Sequence, residues 1–141
     1  MTWRIGSALS QAQLQATLTL ADTGAGNARV RLYTTARPDT LGSHSDTPQA
    51  DVVLAKPCGA IVGGVLVLYP LDAAGTLVMA AGLPRWGEWV SATGAVLLDG
   101  TVTDMDNGGD IRVEGAQTPA GETSPMFYAG GLVQLGTTAL T

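Results

Sequence analysis

The chain has 141 residues, the length of one ordinary domain, with 45% hydrophobic and only 13% charged residues. This composition excludes an intrinsically disordered chain and indicates that some apolar surface is buried against a partner. The net charge of −5, with basic residues scattered along the chain, disfavours nucleic acid and anionic membrane as partners. No apolar run reaches the ~18 residues that a membrane-spanning helix needs.

The N-terminal segment has two interpretations. Residues 1–6 are expected to form an extended arm, and Ser7 could then cap a helix. Against a helix, apolar and polar residues alternate from Leu14 to Leu20, which is typical of a strand. We therefore expect a strand from about Leu14 onward and leave open one or two helical turns before it. The helical alternative would bury one stripe of residues, namely Ile5, Ala8, Leu9, Ala12 and Ala16.

Short apolar runs separated by glycine and proline occupy the rest of the chain and predict strands. Val30 and Leu32 alternate with Arg29 and Arg31, so one side of this strand should face the core. The run Val65–Tyr69 is continuously apolar, as in a strand covered on both faces. The other expected strands are Val52–Leu54, Thr76–Ala80, Arg85–Thr93, Ala95–Asp104, Ile111–Val113, Met126–Ala129 and Leu132–Leu135.

These runs predict one mainly β domain spanning residues 1–141. About eight strands in two packed sheets would form a jelly-roll-like antiparallel β-sandwich, with a short N-terminal helix as an open alternative. Residues 34–50 are polar and rich in turn-forming residues, and they predict a long surface loop. The arm and this loop are the segments best placed to reach a neighbouring molecule, and their candidate protein-contact residues are Trp3, Arg4 and His44.

Three further aromatic residues are candidate contacts. Trp86 and Trp89 should lie on opposite faces of a strand because their spacing is odd. One of them should then be in the core and the other should point outward, where a tryptophan can anchor an interface or stack on a sugar. The alternative, that neighbouring loops partly bury both, carries equal weight. Tyr128, near the C-terminus, is the remaining candidate.

The residues needed for catalysis are scarce. The chain has one cysteine and one histidine, so a zinc site built from such ligands is excluded by number. Cys58 and His44 could pair as nucleophile and base. The stronger interpretation is a packed thiol and a solvated loop histidine. We expect no enzyme activity, no cofactor and no metal.

The only acidic cluster is Asp104-Met-Asp106-Asn107-Gly108-Gly109-Asp110. Its Asp-x-Asp opening is similar to a calcium loop, but Gly108 stands at position five and Gly115 at position twelve, where a bidentate Glu belongs. Asn-Gly and Gly-Gly pairs are typical of tight turns. The sequence favours a hairpin turn here, with calcium as the weaker alternative.

The order of these features resembles a known family. A short segment at residues 7–21 precedes Val30-Arg-Leu-Tyr33 and Arg37-Pro38. Later come Trp86-x-x-Trp89-Val-Ser-Ala-Thr-Gly and a closing Tyr128-Ala-Gly-Gly-Leu-Val-Gln-Leu-Gly. This pattern is similar to the capsid cement (decoration) proteins of tailed bacteriophages, such as those of Bordetella podovirus-type phages. The strand-like start of the chain departs from the more helical start of the wider group.

The resemblance implies a jelly-roll protein on the outer surface of the virion. It would bridge neighbouring subunits of the major capsid protein, act as a homodimer and assemble in the host cytoplasm. The resemblance implies no catalytic residue. Two alternatives stay open, namely another virion part (a tail or head–tail accessory protein) and a carbohydrate-binding module.

Overall fold

The computed structural model describes residues 3–140, without the side chains of 139 and 140, and is mainly β in that part of the chain. One helix is followed by nine described strands. In chain order the elements are α1 (Ser7–Asp22), β1 (Arg29–Tyr33), β2 (Ala50–Val62), β3 (Val65–Pro70), β4 (Thr76–Leu77), β5 (Trp86–Val90), β6 (Val96–Thr103), β7 (Ile111–Glu114), β8 (Leu132–Leu135) and β9 (Ala139–Leu140).

The strands form one curled sheet with the order β4-β8-β7-β6-β5-β1-β2-β3-β9. The first eight strands in this order make a half-barrel, and the two-residue β9 extends its edge. The mainly β prediction is confirmed, but the jelly-roll sandwich with two packed sheets is not. The expectation of a purely antiparallel sheet is wrong, because β6 and β7 run parallel.

The parallel pair also corrects the hairpin expected at residues 104–110. Val102 pairs with Ile111 and Thr103 with Arg112, so the intervening segment joins two parallel strands. A parallel connection normally needs a dozen or more residues. Here a shorter connection suffices, because the parallel pairing is limited to two residue pairs.

The strand expected from Leu14 onward is wrong, since α1 continues to Asp22. The helix packs on β2 and β3 through Leu14, Leu18 and Ala21, which share one helical face. The alternation of apolar and polar residues suggested a strand and concealed this helical face. The composition favoured the helix, because glutamine, alanine and leucine are all good helix formers. Gly6, not Ser7, is the N-cap, and it makes no side-chain capping bond. The alternative stripe is exposed at Ile5, Ala8, Leu9, Ala12 and Ala16.

The hairpin between β2 and β3 explains why β2 is much longer than the expected Val52–Leu54. Gly63 and Gly64 have positive φ angles of 59° and 82°. Two successive positive φ angles define the tight turn whose twist matches paired antiparallel strands.

Strand β3 was expected to be covered on both faces, but only one face is covered. Leu68 is buried, whereas Tyr69 is 42% exposed.

One apolar core joins α1 to the sheet. Val30 and Leu32 are buried in it, as the alternation in β1 predicted. Phe127 also belongs to the core, but the strand expected at Met126–Ala129 is reduced to one bridge with Gly82. Among the described residues, no helix combines the length and the apolar character needed to cross a membrane.

Candidate functional site

Strands β1 and β5 place four polar or aromatic side chains next to one another, because directly paired residues point to the same face of a sheet. Tyr33 pairs with Trp86, and Arg31 pairs with Glu88, so these side chains lie on one face. Val30 pairs with Trp89 on the opposite face, which belongs to the core. The predicted separation of the two tryptophans onto opposite faces is therefore confirmed.

A cluster of three buried side chains, Tyr33, Trp86 and Glu88, lies on the first face and is joined there by the partly buried His44. The Tyr33 hydroxyl donates to Glu88 Oε1 over 2.6 Å, and His44 Nε2 lies 3.0 Å from Glu88 Oε2. The rings of Tyr33 and Trp86 stack with centroids 4.4 Å apart, and His44 meets both edge-on. Glu88 is only 2% exposed, so both of its oxygens take their hydrogen bonds from within the protein.

A backbone hydrogen bond selects the tautomer of the His44 ring. The N–H of Asp46 donates to His44 Nδ1 over 3.2 Å, so that nitrogen acts as an acceptor. The proton of a neutral imidazole then lies on Nε2 and is donated to Glu88. Both ring nitrogens are engaged, and neither is free to serve as a general base. The prediction of a solvated loop histidine is wrong, because packing on β1 and β5 leaves this side chain only 11% exposed.

The cluster fastens the long loop onto the sheet. The loop runs over residues 34–49, close to the expected bounds, and His44 joins it to β5 through Glu88. Two further contacts hold it: Arg37 forms an ion pair with Asp99 of β6, and Trp86 Nε1 donates to the Thr35 hydroxyl over 3.4 Å. Through His44 the loop covers the part of the sheet face that carries Tyr33 and Trp86.

This cover corrects the expectation of an outward tryptophan. Trp86 is 1% exposed and Trp89 is 4% exposed, so neither presents an anchor to a partner. The loop and the Tyr33 ring cover Trp86, and the core covers Trp89. The physical reason is that the face opposite the core is itself buried here. Burial raises the pKa of Tyr33 far above its ordinary value, with the Glu88 hydrogen bond as the second cause.

Cys58 is a packed thiol, as expected, and lies in β2 beside the C-terminal end of α1. Its backbone N–H donates to both carboxylate oxygens of Asp22, over 3.0 and 3.1 Å. Burial raises the pKa of the thiol to about 12, and the neighbouring Asp22 charge adds to this effect. A protonated thiol is a poor nucleophile. No hydrogen bond joins Cys58 to His44 in residues 3–140.

In the acidic segment 104–110, the carboxylate of Asp104 accepts hydrogen bonds from neighbouring groups of the protein. Asp104 accepts bonds from the backbone N–H groups of Asp106 and Asn107, and from the hydroxyl of Thr118. In the part of the chain that the structure describes, no group of three or more potential His, Cys, Asp or Glu ligands is arranged to hold a metal ion. The segment is a tight loop held by Asp104.

The remaining candidate contacts are exposed. Trp3 is 89% exposed, Tyr128 is 66% exposed, and Arg4 is also on the surface. Trp3 and Arg4 precede α1, and Tyr128 lies before β8. The structure does not bring these residues into the cluster around Glu88, but Tyr128 belongs to one of two exposed apolar surfaces.

The first surface, called the outer α1 face, consists of Leu9, Ala12, Ala16 and Leu20. These residues share one side of the helix and are all exposed. Leu9 and Leu20 are 55% and 60% exposed. No charged residue occurs between Ser7 and Ala21. An uncharged helix with an exposed apolar stripe is typical of a contact surface.

The second surface, called the β4–β8 patch, consists of Leu77, Met79, Tyr128 and Leu132. Leu77 pairs with Leu132 across the two strands, and these residues are 58% and 50% exposed. Met79 follows Leu77 by two residues and points the same way, while Val78 between them is buried. Backbone bonds from Gly130 to Val78 and from Val78 to Gly131 bring the segment after Tyr128 alongside.

Sequence reasoning missed the partnership of Tyr33 and Glu88. One signal was available, because Glu88 lies two residues from Trp86 and therefore shares its face in a strand. Its pairing with a residue 55 positions away depends on the sheet order and could not be deduced locally. Comparisons with models of known protein families, with curated proteins and with solved structures found no match.

Proposed function

We propose that this protein is a structural component of a phage virion. It binds the outer surface of the head and, as a homodimer, bridges neighbouring subunits of the major capsid protein. The jelly-roll description belongs to the same proposal, and the curl that brings β4 against the start of β2 supports it. There the N–H of Met79 donates to the carbonyl of Gln49 over 2.8 Å.

The observation that carries the proposal is the presence of two separate apolar surfaces on one small domain. A bridging protein needs at least two contact surfaces, one for each neighbour. The outer α1 face and the β4–β8 patch lie on different elements, and each contains large apolar side chains that are half exposed or more. Exposed apolar surface of this kind marks protein–protein contact sites.

We assign the outer α1 face to a second copy of the chain. A twofold contact must be self-complementary. The stripe has a leucine at each end and alanines between them, so an antiparallel pair would place Leu9 beside Leu20 of the other copy. The alanines let the helices approach closely, and the absence of charge removes repulsion across the axis.

We assign the β4–β8 patch to the capsid. Its four members include Tyr128 and Met79, residue types that are enriched at interface cores. β4 is also the first strand in the sheet order, so part of its edge is open to a neighbour. Each contact is small, but a dimer on a lattice gains affinity because its second contact is intramolecular.

Co-sedimentation with empty heads of the encoding phage tests the proposal. The wild-type chain should sediment with the heads and raise their heat stability. Leu132→Glu should abolish this binding and leave the dimer intact, whereas Ala16→Glu should give a monomer that binds heads more weakly. Gln15→Glu, beside the outer α1 face, and Ala120→Glu, at another exposed position, are matched charge controls.

Failure of the wild-type chain to bind heads, with no gain in their heat stability, would overturn the capsid assignment. Sedimentation with tails but not heads would instead favour another virion part. If Leu132→Glu binds as well as Ala120→Glu, the β4–β8 patch is not the capsid surface.

A further inference from the structure

The turn that follows β6 contains an asparagine followed directly by a glycine. Asn107 and Gly108 are both exposed and lie in the turn over residues 105–108. Gly108 has a positive φ of 69°, and apart from its two chain neighbours nothing lies within 4 Å of the place where its side chain would be. Within residues 3–140, no hydrogen bond engages the backbone N–H of Gly108. This backbone nitrogen is therefore open to reaction with the side chain that precedes it.

An asparagine in such a place can lose its amide without an enzyme. The N–H of the next residue gives its proton to hydroxide from the solvent, and its nitrogen attacks the side-chain carbon Cγ. The Cγ–Nδ2 bond breaks and ammonia leaves with a proton from water, so that a succinimide ring remains. Water then opens the ring at either carbonyl and gives aspartate or isoaspartate. Glycine favours ring closure, because it has no side chain to obstruct the approach and leaves the backbone free to rotate.

The two most comparable pairs in the sequence are protected by packing. Asn27 is the only other asparagine. Its Nδ2 donates to the carbonyl of Leu54 over 2.9 Å, and the next residue, Ala28, is fully buried. Asp99 precedes Gly100 and could close the same ring, but both residues lie in the paired part of β6. A residue held in a paired strand cannot make the backbone rotation that ring closure needs.

Asp104 restrains the Asn107 amide. Its Oδ1 accepts the Nδ2 of Asn107 over 2.7 Å and the backbone N–H of the same residue over 3.0 Å. Ring closure turns the side chain toward Gly108, so this hydrogen bond should slow the reaction. After conversion, a carboxylate at position 107 cannot donate to Asp104 and repels it. An isoaspartate also lengthens the backbone by one carbon atom.

We propose that Asn107 is a site of spontaneous deamidation, which the exposed turn at Gly108 permits and Asp104 slows. Conversion of Asn107 removes one of the hydrogen bonds that hold segment 104–110, and this segment joins β6 to β7. The fold of this segment is therefore weakened as the protein ages. The reaction needs only water and the chain itself, so it does not depend on the proposed capsid role.

The test is incubation of the full-length chain at mildly alkaline pH, followed by peptide mapping with mass spectrometry. The peptide that contains Asn107 should gain the mass that marks conversion of an amide to an acid, and its aspartate and isoaspartate forms should separate by chromatography. The peptide that contains Asn27 should keep its mass, and no isoaspartate should form at Asp99. In Asn107→Gln this mass gain should be lost, because glutamine would have to form a larger ring.

Two variants test the restraint. Asp104→Ala should speed the conversion of Asn107 by roughly two- to tenfold, the equivalent in rate of one hydrogen bond. Asp106→Ala is the matched control, because it removes an exposed neighbouring carboxylate, and it should leave the rate nearly unchanged. Fully converted protein should unfold at a lower urea concentration than fresh protein. Asn107→Gln, incubated in the same way, should keep its own urea midpoint.

Four results would overturn the inference. Asn107 could keep its amide after long incubation, or Asn27 could convert as fast as Asn107. Asp104→Ala could convert no faster than Asp106→Ala, which would exclude the restraint. An unchanged urea midpoint after full conversion would contradict the part of the Asn107 amide in holding the segment.

Discussion

Tyr33 and Glu88 lie on neighbouring strands and are joined by a 2.6 Å hydrogen bond from the phenol to the carboxylate. Each is only 2% exposed. A carboxylate in such a place is costly unless donors surround it. Tyr33 supplies one donor and His44 the other, so the His44–Glu88 contact joins loop 34–49 to the sheet.

Loss of the phenol should destabilise the fold. Tyr33→Phe leaves one oxygen of Glu88 buried without its donor, and we expect a loss of about 1–3 kcal/mol in the free energy of unfolding. Urea unfolding measures it. Tyr69→Phe is the control, because Tyr69 is 42% exposed and its change should have little effect. Equal effects of the two variants would contradict a structural role for the Tyr33–Glu88 bond.

The N-terminal helix can be tested with two leucines that a strand would place on the same face. Leu18 is 7% exposed and Leu20 is 60% exposed. Leu18→Ala should cost about 2–5 kcal/mol, the range for a buried leucine, and Leu20→Ala should cost under about 0.5 kcal/mol. Urea unfolding in the monomeric Ala16→Glu background distinguishes them, because Leu20 also belongs to the proposed dimer contact. Similar losses for both would favour the strand.

Cys58 should make the protein less stable at alkaline pH. Its pKa is raised from 9.0 to about 12 in the folded chain. Between these values the folded chain keeps a proton that the unfolded chain releases, so the free energy of unfolding falls as the pH rises. Cys58→Ala should show a shallower fall above pH 9 in urea unfolding.

A constant difference between Cys58→Ala and the wild-type chain from neutral to alkaline pH would contradict this. The native thiol should also react slowly with a disulfide reagent at mildly alkaline pH, and urea should release the fast reaction.

Asp104 should act in the opposite pH range. Hydrogen bonds from Thr118 and Asn107 lower its pKa below 3.8. Its contribution to stability is therefore present above that value and is lost as the pH falls through the folded-state pKa. Asp104→Ala should be less stable than the wild-type chain at neutral pH, and the difference should shrink on acidification. Asp106→Ala is the control, since Asp106 is exposed.

The difference is measured by thermal unfolding across the acidic range. A difference between Asp104→Ala and the wild-type chain that stays the same down to the most acidic pH would contradict the assignment.

The sequence by itself determined the mainly β class, the inward positions Val30 and Leu32, the separation of Trp86 and Trp89 onto opposite faces, and the packed Cys58. Each of these follows from local periodicity or residue chemistry, which neighbouring residues are enough to define. The same local rules misassigned Leu14–Leu20. Leu14 and Leu18 lie on one face both in a strand and in a helix, so their positions alone do not distinguish the two structures.

Only the tertiary structure decided the sheet order, the parallel pairing of β6 with β7, and the burial of Trp86. It also brought Tyr33 and His44 to the two oxygens of Glu88, across 55 and 44 residues of chain. Such contacts depend on which strands become neighbours and on where a loop folds back. That choice is made by the packing of the whole core, because no short segment contains both partners.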